Sequence, residues 1–88
     1  MTTLVMISFR FPDLDRNTIN IHQKIIRGAM QNWAEFYNID YRFNHTAITF
    51  HVYFESEHDL AIFKLTWAHP EYEYTVFKPN EVGTYVAQ

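Results

Sequence analysis

The chain has 88 residues, of which 48% are hydrophobic and 18% are aromatic, and its formal net charge is −3. This length predicts one domain, residues 1–88, with a real hydrophobic core. Cysteine is absent, which excludes disulfides and thiol chemistry, and no apolar run of about 18 residues could span a membrane. We therefore expect no membrane association and a reducing, cytoplasmic location.

The first half of the chain predicts a strand, a long helix and a second strand. Residues 2–11 and 39–44 alternate in polarity, as strands with one buried face do. Between them, apolar residues recur every three or four positions from Thr18 to Tyr37, which indicates an amphipathic helix ending at Asn38. The predicted buried positions are His22, Ile25, Ile26, Ala29, Met30, Trp33, Phe36 and Tyr37. Gly28 costs this helix about 1 kcal/mol relative to Ala, and we expect it to mark close approach to a sheet.

The second half predicts a strand, a helix, a strand and a tail. Residues 46–54 alternate, and Ser56 with Asp59 resembles a capping box at the start of a helix that continues to about Trp67. The expected buried stripe of this helix is Ala61, Ile62 and Leu65, with Phe63 and Trp67 half covered. Residues 71–78 alternate again, and residues 80–88 form a tail that either adds a short edge strand or frays.

The element order is strand, helix, strand, strand, helix, strand. Right-handed crossovers then predict an α+β, ferredoxin-like βαββαβ fold, with a four-stranded antiparallel sheet and both helices on one face. The other face stays uncovered. By alternation it should present Met6, Ser8, Arg10, Arg42, Thr49, His51, Tyr53, Glu73, Thr75 and Phe77.

The charge is distributed unevenly along the chain. Residues 1–44 contain five Lys or Arg and four acidic residues, and residues 45–88 contain two and six, so the halves carry +1 and −4. The acidic half disfavours phosphate binding and suits a protein with a basic surface. We therefore expect a basic protein partner and disfavour nucleic acid.

Motifs for enzyme chemistry are absent from the sequence. Two glycines cannot form a phosphate-binding loop, and the five histidines have no metal-ligand spacing, so we predict neither a cofactor nor a metal. Asp13 and Asp15 form the best carboxylate pair, although a solvated loop that caps the helix explains them more simply. A small-molecule enzyme with a site between subunits, built from Asp13, Asp15 and a histidine, stays an alternative.

Surplus aromatic surface points to an interaction protein. The candidate interface residues are Met6, Tyr53, Phe63, Trp67 and Phe77. Scattered surface hydrophobes are ordinary, but large apolar patches mark interfaces. We therefore favour a non-enzymatic module that self-associates, through the open sheet face or a free edge strand, or that binds another protein.

Single-stranded nucleic-acid binding is the second alternative, because bases stack on aromatic side chains of open sheets. The residues that would carry it are Arg10, Arg42, His51 and Tyr53. Against it, the ribonucleoprotein motif is missing, and Glu71 and Glu73 would repel phosphates.

One stretch resembles a known group of proteins. The strand Ile48–Phe54, followed by Asp59-Leu-Ala-Ile-Phe-Lys-Leu-Thr-Trp67, is similar to a pattern in small uncharacterised proteins of tailed bacteriophages. The resemblance covers about twenty residues and carries no catalytic motif. It implies a small phage-encoded protein that binds and modulates or inhibits a host protein in the bacterial cytoplasm.

Overall fold

The computed structural model describes residues 4–11 and 14–88. Its elements are β1 (Val5–Arg10), α1 (Arg16–Tyr37), β2 (Tyr41–His45), β3 (Thr49–Phe54), α2 (Glu57–Thr66), β4 (Tyr74–Pro79) and β5 (Tyr85–Ala87). In this described part of the chain the strands form one sheet in the order β2-β3-β1-β4-β5. Every neighbouring pair is antiparallel, so the fold is of the α+β class.

The predicted four-stranded, ferredoxin-like sheet is wrong, because a fifth strand extends the sheet beyond β4. The chain reverses after β4 in a turn where Gly83 has φ 86°, and the Asn80 amide donates to the Thr84 carbonyl at 2.8 Å. This turn returns β5 alongside β4, where it supplies backbone partners that β4 would otherwise lack. The paired residues are Phe77 with Ala87, Lys78 with Val86 and Pro79 with Tyr85.

Side-chain and backbone caps define the helix ends. Asp15 accepts a hydrogen bond from the Thr18 amide at 2.7 Å, and Ser56 accepts one from the Asp59 amide at 3.2 Å, so each satisfies a free N–H of a first turn. Asn38 ends α1 in the left-handed conformation with φ 56°. The predicted stop at Asn38 and cap at Ser56 are confirmed. Neither α1 nor α2 combines the length and the apolar character needed to cross a membrane.

Phe63 of α2 lies at the centre of the core and is completely buried. Its ring centroid lies 5.3 Å from that of Trp33 in α1, 5.7 Å from Phe54 in β3 and 5.0 Å from Tyr74 in β4. Trp67, just after α2, stacks on it at 4.9 Å. One side chain thus joins α1 and α2 to the same face of the sheet.

The structure corrects the predicted inner sides of both helices. Ile25 and Phe36 are 46% and 81% exposed, and Leu65 is 85% exposed, although the apolar spacing predicted all three to be buried. The indole N–H of Trp33 donates to the Thr66 hydroxyl at 2.8 Å, which fixes the side of α1 that faces α2. The side of α1 that is buried instead carries Ile19, Gln23, Ile26, Met30, Trp33 and Ala34.

The central position of Phe63 predicts a large effect of its truncation. We expect Phe63→Ala to lower the free energy of unfolding by about 3–5 kcal/mol, because it leaves a cavity among four other rings. Leu65→Ala, two positions along the same helix at an exposed site, should change it by no more than about 0.5 kcal/mol. Chemical denaturation of both variants measures this, and similar losses would contradict the described core.

Candidate functional site

The solvent-facing side of α1 carries three exposed apolar side chains, Ile21, Ile25 and Phe36, in line with Gly28 and the polar Asn32. We call Ile21, Ile25, Gly28, Asn32 and Phe36 the outer stripe. Successive helical residues turn by about 100°, so these five positions fall within an arc of about 80°, opposite the buried side of the helix. Ile21, Ile25 and Phe36 are 58%, 46% and 81% exposed. A surface helix normally presents polar residues on this side.

Gly28 lies at the middle of the outer stripe. A Cβ atom built at this position would meet no other atom within 4 Å. The expectation that Gly28 allows close approach of α1 to the sheet is therefore wrong. This glycine weakens the helix by about 1 kcal/mol relative to Ala. No contact in the described part of the chain explains why a glycine occupies this position.

The sheet face without helices is partly covered by its own aromatic rings. Met6 lies between Tyr53 and Phe77 in the register and is only 8% exposed. From β5, Tyr85 donates its hydroxyl to the Leu4 carbonyl at 3.1 Å, and its ring lies 6.1 Å from that of Tyr53. Tyr85 therefore reaches across β4 and β1, a role that the sequence pattern of the tail did not reveal.

The five candidate interface residues do not form one patch. Met6, Tyr53 and Phe77 lie on the open sheet face, whereas Phe63 and Trp67 lie in the helix layer. Phe63 is completely buried, so a partner cannot touch it in this fold. Of the exposed apolar residues that sequence reasoning missed or counted as buried, Ile21, Ile25 and Phe36 lie in the outer stripe and Leu65 lies on α2. The sequence feature that could have revealed the exposed residues of α1 is its number of apolar residues, which exceeds what one buried side of a helix can accommodate.

The residues of the nucleic-acid alternative share one face. Arg42 pairs with Tyr53, and His51 of the same strand lies beside β1, where Arg10 is exposed. None of the described strand residues on this face is an Asp or a Glu. Glu73, predicted to lie here, precedes β4.

His22 and Asp15 occupy structural positions. His22 Nδ1 lies 2.7 Å from the Tyr72 hydroxyl, which ties α1 to the segment before β4. Asp15 is committed to capping, and the hydrogen bonds from Thr18 lower the pKa of its carboxyl. Asp13 lies outside the described residues. Among those described, no three His, Asp or Glu side chains come together in a way that could hold a metal ion.

An open groove of about 400 Å³ lies beside Trp67. Its lining residues are Lys64, Trp67, Pro70, Tyr72, Glu73 and Tyr74. The indole N–H of Trp67 is buried and has no partner among the described residues. Burial raises the pKa of the Tyr72 and Tyr74 phenols, so both keep their protons at neutral pH. The lining of the groove thus combines aromatic rings with one lysine and one glutamate.

His51 predicts a specific pH dependence. Its Nδ1 is buried without a partner among the described residues, and burial lowers the pKa of its imidazole below the ordinary value of 6.5. Just below pH 6.5 the unfolded chain therefore binds a proton that the folded chain does not, so stability falls as pH falls through that window. His51→Gln should make this fall shallower, as measured by unfolding free energies across the window. A histidine NMR titration with a His51 midpoint above 6.5 would contradict the sign.

Comparisons with known proteins complete the description. No protein-family model, no curated protein and no solved structure matches this chain. The function is therefore inferred from the surfaces of the molecule itself, above all from the outer stripe of α1 and the open face of the sheet.

Proposed function

We propose that this chain is a non-enzymatic protein-interaction module that associates through the outer stripe of α1. The observation that carries the proposal is the exposure of Ile21, Ile25 and Phe36 in one line, on the side of the helix that faces away from the core. Apolar surface of this kind is unfavourable in water and typically marks an interface. An aromatic anchor such as Phe36 is also well suited to fill a pocket on a partner.

Exposed carboxylates away from α1 suit a basic partner protein. Glu55, Glu73 and Glu81 are exposed, and none forms an ion pair within the described ranges 4–11 and 14–88. Opposite charges across an interface steer association and favour the correct partner. The resemblance to phage proteins suggests that this basic partner is a host protein in the bacterial cytoplasm. The cytoplasmic location and the host partner are both part of the proposal.

Sedimentation of a fluorescently labelled chain tests the proposal. The labelled chain is diluted into buffer containing unlabelled chain and, separately, into bacterial lysate. We expect species larger than the monomer in at least one medium. Ile25→Asp should abolish them in both, because it places a charge in the middle of the apolar stripe.

Val82→Asp is the matched control. Val82 is 84% exposed in the turn between β4 and β5, so this variant makes the same kind of change away from α1 and should sediment like the wild-type chain. A wild-type chain that is monomeric in both media would overturn the proposal. So would an Ile25→Asp variant that associates as strongly as the wild type.

Single-stranded nucleic-acid binding is retained as a second candidate, because one observation favours it. Arg10 and Arg42 are exposed on a face where Tyr53 and His51 also lie and where the described strand residues include no carboxylate. The local charge is therefore positive, although the whole chain is acidic. Bases would stack on Tyr53 while the arginines contact phosphates.

Oligonucleotide titrations at several salt concentrations test this candidate. For a binder, Arg10→Ala and Arg42→Ala should each weaken affinity and reduce the slope of log affinity against log salt by roughly 0.7, the value for one phosphate on a single strand. Lys64→Ala on α2 is the control and should leave the slope unchanged. Binding without a salt slope, or no binding by the wild-type chain, would remove nucleic acid from consideration.

A further inference from the structure

The two large end residues of the outer stripe lie almost equally far from its glycine. Ile21 precedes Gly28 by seven residues and Phe36 follows it by eight. With a rise of about 1.5 Å per residue, the two large side chains lie about 10 Å and 12 Å from Gly28 along the helix axis. Two large residues at nearly equal distances on either side of a central position can each meet the other in a second copy related by a two-fold axis.

We propose that the occupant of the outer stripe is a second copy of this chain, with the α1 helices antiparallel and crossing at Gly28. This inference rests on the proposed function and names the partner for the same surface. In this pairing Ile21 meets Phe36 of the second copy, and the reverse contact forms by symmetry. Each copy thereby covers its most exposed aromatic side chain.

The charges beside the stripe fit this arrangement. Lys24 and Glu35 lie eleven residues apart, which places them about 20° apart around the helix axis, on the same flank of the stripe. In a two-fold antiparallel pair each flank faces its own copy, so Lys24 comes within one helical turn of Glu35 of the second copy, close enough for its long side chain to reach the carboxylate, twice per dimer. Neither side chain forms an ion pair within the described part of the chain.

The pairing also explains why a glycine occupies position 28. The space beyond Gly28 is open in the single chain, so the glycine is not needed for packing within it. Where two helices cross, the absence of a side chain lets the backbones approach and brings the flanking side chains into contact. The conformational cost of a glycine in α1 is then offset by closer packing between copies.

Gly28→Ala distinguishes this role from a role within one chain. Alanine favours the helix and meets no neighbour, so the thermal midpoint of the dilute, monomeric protein should rise by about 4–8 °C. The same variant should weaken dimerisation, because two methyl groups meet at the crossing point. A rise in the midpoint with unchanged dimerisation would show that the helices do not cross at Gly28.

Charge reversal tests the antiparallel register. At low salt, Lys24→Glu and Glu35→Lys should each weaken dimerisation by roughly fivefold, because each replaces two attractions with two repulsions. The double variant restores opposite charges and should recover the wild-type dissociation constant in sedimentation equilibrium. No partner of different sequence would show this mutual rescue.

The outcomes separate this inference from the proposed function. A wild-type chain that stays monomeric up to about 1 mM would overturn self-pairing, while an association in lysate that Ile25→Asp abolishes would leave the interaction module standing. Dimerisation that Ile25→Asp abolishes without rescue by the charge-reversed double variant would overturn the antiparallel register. Dimerisation unaffected by Ile25→Asp would overturn both.

Discussion

The ring of Phe63 is the contact on which the arrangement of this small domain depends. It is completely buried and lies within 5.7 Å of rings supplied by α1, β3 and β4. A chain of 88 residues without cysteine has no covalent cross-link to hold its layers together. Aromatic packing, with its large buried area for each residue, supplies the necessary stabilisation. The hydrogen bond from Trp33 to Thr66 then fixes how α1 is rotated against α2.

That rotation decides which surfaces are free to act. Because Trp33 and Met30 face the core, the residues half a turn away must face solvent, and those residues include Ile21, Ile25 and Phe36. The sheet face without helices behaves differently, since Tyr53 and Tyr85 fold over its centre and leave Met6 only 8% exposed. Of the exposed apolar side chains, Ile21, Ile25, Phe36 and Leu65 therefore lie on the helix layer. The exposed Arg10 and Arg42 lie on the sheet.

Local sequence signals predicted local structure better than they predicted burial. The caps at Ser56 and Asn38 and the alternation of β3 are visible because the responsible residues are neighbours in the chain. The inner side of α1 was not predictable by spacing alone, because Ile25 and Ile26 are both apolar and only tertiary contacts, such as those from Gln23 to the sheet and from Trp33 to α2, choose between them. The sequence left the tail as either an edge strand or a frayed end, because a strand of three residues has too short a pattern to decide and depends on pairing with β4. The outer stripe was not predicted for the same reason, because apolar spacing alone does not show which apolar residues of α1 face the core.

The central claim is that two copies of α1 pair in opposite directions through Ile21, Gly28 and Phe36. Within one chain Ile21 and Phe36 lie about 22 Å apart along the helix, far too distant for a nuclear Overhauser effect. A mixed sample of isotope-labelled and unlabelled chains, recorded with isotope filtering, detects only contacts between copies. The account predicts cross-peaks between the Ile21 methyl groups and the Phe36 ring. Cross-peaks that instead join residues of the sheet, or none at a concentration where the protein is dimeric, would contradict it.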